Sequence, residues 1–293
     1  MSRTAASVRT DPATRLAEFQ RQRPEWQTWL SLLGEAERSL ADPAWSHPVK
    51  MEEVEAGSAA ASSHAPLLHG QTLRVDTDRV RTFVRQLASE ASREDGTGVS
   101  RLRDYRPSSD QAMRLVAAAA RQDAAEIGGL AEEAGIDRGV LISIAHLATF
   151  PLLQSCGRIL EDRIPRSWSH GYCPICAAWP ILAERRGLDQ TRRLRCSRCG
   201  AEWQVQWFSC TYCGQRDHEQ LGSLVIEERG DRLRVETCLT CRGYVKSIAT
   251  LQRIPSFELL LQDLETVELD LAALDRGYAR PEEPAFMLDL RFV

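Results

Sequence analysis

The sequence predicts a multi-domain α+β chain: a mainly α N-terminal domain, two small four-cysteine β units, then a C-terminal helix and an extended tail. Three observations carry this. Apolar residues recur at helical spacing through a stretch rich in Ala, Leu, Glu and Arg that ends near residue 164. After Pro165 the composition shifts to Cys, Gly, Trp, Arg and β-prone runs. From Ser256 helical spacing returns, with Phe257, Leu260, Leu261, Leu264 and Val267 on one stripe.

The helical domain is expected to span residues 1–165, with helices near 14–22, 24–41, 78–91, 110–119, 122–134 and 138–162. Asp110 and Asp137 are candidate N-caps, because a short side-chain oxygen can accept an orphan N–H of the first turn. Gly135 is a candidate C-terminal stop. Residues 55–70, with Gly57, a Ser/Ala cluster, Pro66 and Gly70, suit a linker, and residues 95–107 a shorter break. The β region is expected as two units, 166–208 and 209–250, with strands near 201–208, 221–227 and 232–236. Residues 251–293 complete the chain as a helix over 256–274 and an extended tail from Pro281.

With 293 residues the chain can bury a core of its own and need not depend on metal for its whole fold. Its formal net charge of -4 and pI near 5.9 give no global basic field for a phosphate backbone, so a nucleic-acid partner is not expected. Of 37 basic residues, the lysines are Lys50 and Lys246. The N-terminus lacks the apolar core of a secretory signal. The most apolar run, residues 140–153, is interrupted by His146 and Pro151 and is short for a bilayer, so no stable membrane insertion is expected. The expected location is therefore the cytoplasm, a reducing compartment where paired cysteines favour metal ligation or redox work over structural disulfides.

Eight of nine cysteines form four CxxC pairs: Cys173/Cys176, Cys196/Cys199, Cys210/Cys213 and Cys238/Cys241. Loops of 19 and 24 residues separate the pairs within each half, and only 10 residues separate Cys199 from Cys210. Two successive S4 units are the simplest arrangement; interleaved pairing, with Cys173/Cys176 meeting Cys210/Cys213, is the alternative. A CxxC turn offers two sulfurs to one ion and aims backbone N–H groups at them, and two such turns complete a tetrahedral site suited to zinc or a single iron. Glycine eases the turn at Gly200 and Gly214, with Gly243 one position later and Ala177 in the first pair. Thioredoxin-like redox motifs are a weaker reading, since those normally stand as one pair before a helix.

Four thiolates leave no open coordination position, so neither site is expected to act as a hydrolytic zinc. Arg192, Arg193, Arg195 and Arg198 are placed to offset thiolate charge. Cys156, in the apolar run, is expected to be a buried small residue rather than a ligand. His146 is expected in the core, and His170 and His218 at the surface or beside the cysteine turns. Trp168, Trp179, Trp203 and Trp207 are expected to pack around the first unit. No phosphate loop, nucleotide-binding fingerprint or nucleophilic Ser/His pattern is legible, so no catalytic residue is assigned and an enzyme is not expected.

With these motifs in place, the chain resembles the FdhE family of formate dehydrogenase accessory proteins. The likeness rests on GYCPICAAWP at 171–180, LRCSRCGAEW at 194–203, SCTYCG at 209–214 and ETCLTCRGYVK at 236–246, with the acidic stretch 263–288 and APLLHG at 65–70. The resemblance implies that both units are rubredoxin-like or zinc-ribbon-like and that all eight paired cysteines ligate metal. It favours two iron ions, with zinc as the other metal suited to four thiolates. It further implies a cytoplasmic maturation factor or chaperone whose partner is the catalytic subunit of respiratory formate dehydrogenase, held before export. Two other functions compete: a rubredoxin-like redox protein that passes electrons to that enzyme or protects its cofactor, and a zinc-ribbon nucleic-acid protein using the arginine-rich strip 185–198. The sequence does not indicate an oligomeric state.

Overall fold

A computed structural model of the chain describes residues 11–50, 64–93, 100–225 and 231–293. The extreme N-terminus, most of the expected linker and residues 95–99 of the expected break lie outside them.

Helices α1 (Pro12–Gln22), α2 (Gln27–Ser39), α3 (Thr77–Ala91), α4 (Ser109–Arg121), α5 (Ala124–Ala134) and α6 (Arg138–Leu160) build the N-terminal part. Asp11, Asp76, Asp123 and Asp137 cap α1, α3, α5 and α6, each accepting a backbone N–H. The cap of α4 is Ser108 rather than Asp110, in a reciprocal capping box with Gln111. Gly135 closes α5 in the left-handed conformation (φ 62°), where a β-carbon would be strained.

Helix α6 is the centre of the bundle and packs against α2, α3, α4 and α5. It is buried nearly all round from Leu147 to Gly157, as a helix apolar on every face must be. The helix continues through Pro151 for 23 residues, close to the expected 138–162. Its length and composition would suit a membrane span, yet 72% of its apolar window is buried inside the protein, which makes it a core helix. His146 lies on its exposed side, a correction to its expected core placement.

The β part is a six-stranded sheet in the order β4-β3-β2-β7-β6-β5: β2 (Leu182–Arg186), β3 (Thr191–Arg195), β4 (Glu202–Gln204), β5 (Leu221–Val225), β6 (Leu233–Cys238) and β7 (Tyr244–Thr250). Strands β2–β4 belong to the first cysteine unit and β5–β7 to the second. Parallel pairing of β2 with β7, from Leu182 opposite Lys246 to Arg186 opposite Thr250, joins the units into one sheet.

Helices α7 (Ser256–Glu265) and α8 (Val267–Leu274) cover one face, burying Leu182, Leu233, Val235 and Ile248 against Leu259 and Leu269. They replace the single expected helix, which breaks at Thr266 as its hydroxyl bonds back to the Gln262 carbonyl. The tail returns to the helical part, where β8 (Arg291–Phe292) pairs in parallel with β1 (Thr72–Leu73).

Candidate metal centres

All four CxxC turns share one local design. The first cysteine N–H bonds the carbonyl five residues on: Cys173 to Ala178 (2.8 Å), Cys196 to Ala201 (3.0 Å), Cys210 to Gln215 (2.7 Å) and Cys238 to Gly243 (3.0 Å). The residue after the second cysteine is left-handed in each: Ala177 (φ 62°), Gly200 (75°), Gly214 (72°) and Arg242 (57°). The departure at Ala177 therefore keeps the glycine-like geometry, and in the last turn that position belongs to Arg242 rather than Gly243. Backbone N–H groups of Ile175 and Cys176 point at Cys173 Sγ, and that of Tyr212 at Cys210 Sγ (3.4–3.5 Å).

The sulfurs gather as Cys173, Cys176, Cys196 and Cys199, and as Cys210, Cys213, Cys238 and Cys241, each set within 4.8 Å of one another. Pairwise separations include 3.4 Å (Cys173–Cys199), 3.5 Å (Cys176–Cys196), 3.6 Å (Cys210–Cys241) and 3.8 Å (Cys213–Cys238). A tetrahedral ion with metal–sulfur bonds of about 2.3 Å requires sulfur–sulfur edges of about 3.8 Å, so both sets fit a tetrathiolate metal. An ion in either set would cross-link its two turns, and iron would add a one-electron couple that zinc lacks.

The two sets differ in burial. All four sulfurs of the first belong to buried residues; in the second Cys238 is buried, Cys210 half-buried, and Cys213 and Cys241 exposed. The helical part accounts for the difference. Leu67 and Leu68 donate their N–H groups to the Pro174 and Ile175 carbonyls, at 2.7 and 3.1 Å. Gln154 of α6 donates to the carbonyls of Ser197 and Arg198, and Arg198 to that of Ala119 in α4. One hydrophobic core therefore runs from the helices into the first set. Cys156 is fully buried in α6 and outside both sulfur sets.

Without metal, burial pushes the Cys173 and Cys199 thiols up, while hydrogen bonds from Cys173, Cys196 and Cys199 hold Cys176 well below its ordinary value. A thiolate at Cys176 is thus stabilised by hydrogen bonds from its neighbours. At Cys238 burial acts upward, but the N–H groups of Cys241 and Thr240 and the neighbouring thiols bring it down to about 7. Of the four arginines expected to offset thiolate charge, only Arg198 acts on Cys176. Arg192 pairs with Glu236, Arg193 with Glu202, and Arg195 with Glu184, a fully buried pair.

Aromatic groups connect the two centres. Tyr172, beside Cys173, packs edge-on against Trp179, which packs against Tyr212 between Cys210 and Cys213, with centroids 6.3 and 5.0 Å apart. Trp168 and Trp203 are buried as knuckle packing, whereas Trp207 and its neighbour Phe208 are 39% and 72% exposed. His170 contacts His64 from the helical part at 2.6 Å, and His218 is exposed.

Residues 194–288 match the model of the FdhE C-terminal domain. Curated relatives include a protein FdhE homolog of Stutzerimonas stutzeri, 36% identical over 111 residues (37% of this chain, 35% of that one), and one of Aquifex aeolicus, 30% identical over 118 residues (39% and 41%). Protein FdhE of Escherichia coli is 31% identical over 121 residues (40% and 37%). The matched region thus spans roughly two fifths or less of these relatives. Over nearly the whole length the fold is that of the crystal structure of the FdhE protein from Pseudomonas aeruginosa, with a TM-score of 0.64, 20% identity, and 94% of this chain and 93% of that one covered. The domain-model match takes in six of the eight paired cysteines, so the chain is similar to FdhE proteins over its C-terminal cysteine region, and it shares the fold of one along almost all of its length.

Proposed function

We propose that this protein is an accessory factor for respiratory formate dehydrogenase, holding the enzyme's immature catalytic subunit in the cytoplasm before export. All eight paired cysteines serve as metal ligands, with iron favoured. The observation that carries the reading is the asymmetry of the centres in a chain similar to FdhE proteins: one is sealed into the core, the other faces solvent. In this reading the first centre builds the scaffold and the second marks the client-facing side. Tagged protein is expected to co-purify with the catalytic subunit. Normal formate dehydrogenase activity in a strain lacking the protein would sink the proposal.

The exposure of Cys213 and Cys241 also supports a second reading, a rubredoxin-like redox protein that exchanges electrons with the client or protects its cofactor. It needs iron. Metal analysis with visible absorption, on protein purified without metal supplementation, separates the two; a colourless zinc-only sample counts against electron transfer.

A further inference from the structure

Beside the second centre the sheet carries a groove of about 250 Å³. It lies on the face opposite α7 and α8, since Arg234 and Glu236 alternate along β6 with Leu233 and Val235, which those helices bury. Trp207, Phe208 and Val245, the last opposite Glu236 on β7, supply apolar walls. The volume is below the roughly 300 Å³ at which small-molecule and cofactor pockets begin, and suits one or two side chains.

The floor is electrostatically unbalanced. Arg192 is buried and spent: it bonds Glu236, the Thr211 hydroxyl and the Gln206 carbonyl. Arg185 is engaged by Ser247, Gln190 and the backbone at Asp231 and Arg232. Among the described residues Arg234 has no such neutralisation. Its Nε is buried without a hydrogen-bond partner, and among the described residues no carboxylate pairs with it. Glu236 already holds Arg192 and also acts on Arg185, although its Oε1 is buried without a hydrogen-bond partner. A buried donor left unsatisfied is costly, and an incoming carboxylate would answer it with a charge-assisted bond. At the rim runs β5, the outer strand of the sheet, with Leu221, Gly222 and Ser223 lining the groove. Its open edge offers main-chain groups to an extended chain.

We propose that this groove binds an extended peptide segment of a partner protein, taking an Asp or Glu carboxylate on Arg234 and an adjoining apolar side chain between Trp207, Phe208 and Val245. The inference rests on the accessory-factor reading only in expecting a protein client. The peptide is held by its acid, its apolar neighbour and the β5 edge together, and each is needed.

The test is an array of short synthetic peptides with a central Asp or Glu flanked by Leu, Val or Phe, each beside its amide counterpart, probed with metal-loaded full-length protein. Acidic peptides are expected to bind at least about tenfold more tightly than their amides, the scale of one hydrogen bond to a charged group. Arg234→Gln and, separately, Phe208→Ala should abolish that preference, while Arg103→Gln, the same charge change at an exposed position of a short 3-10 helix, should keep it. Phe208 is exposed enough for its loss to spare the fold, so the pair covers a misfolded Arg234 variant. Equal binding of acid and amide, or no binding, overturns the proposal. Displacement of the peptide by acetate at matching concentration would show a site for small carboxylates and overturn the peptide assignment. The array contains no formate dehydrogenase sequence, so failure here leaves the co-purification test independent.

Discussion

Gly157 of α6 lies against the carbonyl oxygen of Cys199, so closely that a β-carbon at residue 157 would stand 1.7 Å from it. The central helix seats directly on the backbone of the first metal knuckle. A side chain there would force the two apart, and both the helical core and the Cys196–Cys199 turn would feel it.

Gly157→Ala is therefore expected to destabilise the protein by about 3 kcal/mol or more, the upper range of overpacking costs, and to loosen the first metal. Gly129→Ala is the control: Gly129 is an exposed α5 residue whose added β-carbon meets nothing within 4 Å, and should gain about 0.5–1 kcal/mol of helix propensity. Thermal unfolding of both variants, with metal content, decides. If Gly157→Ala matches the wild type, α6 and the knuckle do not share a rigid contact.

The unequal burial of the centres predicts unequal metal exchange. An incoming ligand reaches the second centre past Cys213 and Cys241, whereas reaching the first requires the core to open. Zinc-loaded protein challenged with a chromophoric chelator should release one equivalent at least about tenfold faster than the other, because local opening of a core costs more than access at a surface. Cys241→Ser should remove the fast equivalent and leave the helical part folded. Cys196→Ser should lower helical stability as well as metal content, given the continuous core. Two equivalents leaving at one rate would contradict the asymmetry.

The chemistry was more legible than the topology. Four CxxC pairs announce themselves by spacing, and caps such as Asp137 by a short polar side chain before an apolar run. Strands β2 and β3 do not, because LAERR and TRRLR look like solvated charge. Beside Leu182, Ala183 and Leu194, their buried positions hold Glu184, Arg185, Arg192 and Arg195, which pair with opposite charges and nearby acceptors rather than facing solvent. The β2–β7 pairing joins segments about sixty residues apart, a relation no local pattern encodes. The open groove at Arg234 likewise arises only when β5, β6 and the Trp207–Phe208 loop come together.

Cys156 tests how far proximity implies ligation. Its thiol is pushed up by burial and by the charge at Cys176, so it is a neutral filler beside the first sulfur set. Cys156→Ala should leave two metals per chain, by elemental analysis, and cost about 1 kcal/mol for the cavity left by the sulfur. A loss of one metal equivalent would make it a ligand.

Lys246 carries a different prediction, about pH. It is a fully buried lysine on β7, held by Asp263 (2.7 Å) and Asp270 (2.6 Å), which also bind Arg280 at 2.8 and 2.9 Å. Tyr244 donates its hydroxyl to Asp270. Burial alone would raise the Asp270 carboxyl, but Arg280 and Lys246 outweigh it and hold it below the ordinary carboxylate value. The folded chain thus binds this proton more weakly than the unfolded chain does. Its contribution is present in full above about pH 4, the unfolded aspartate value, and is lost as pH falls through the lower folded value. Asp270→Asn leaves Lys246 short of one partner in the interior and should cost about 3–5 kcal/mol at neutral pH, as breaking a buried pair does. Below about pH 4 its deficit relative to wild type should shrink, because protonation removes the same charge from the wild type. Urea midpoints of both proteins across that range, compared as a difference so that acid release of metal affects each alike, measure this. A deficit that stays constant with pH would mean that Asp270 acts through its shape and hydrogen bonds rather than its charge.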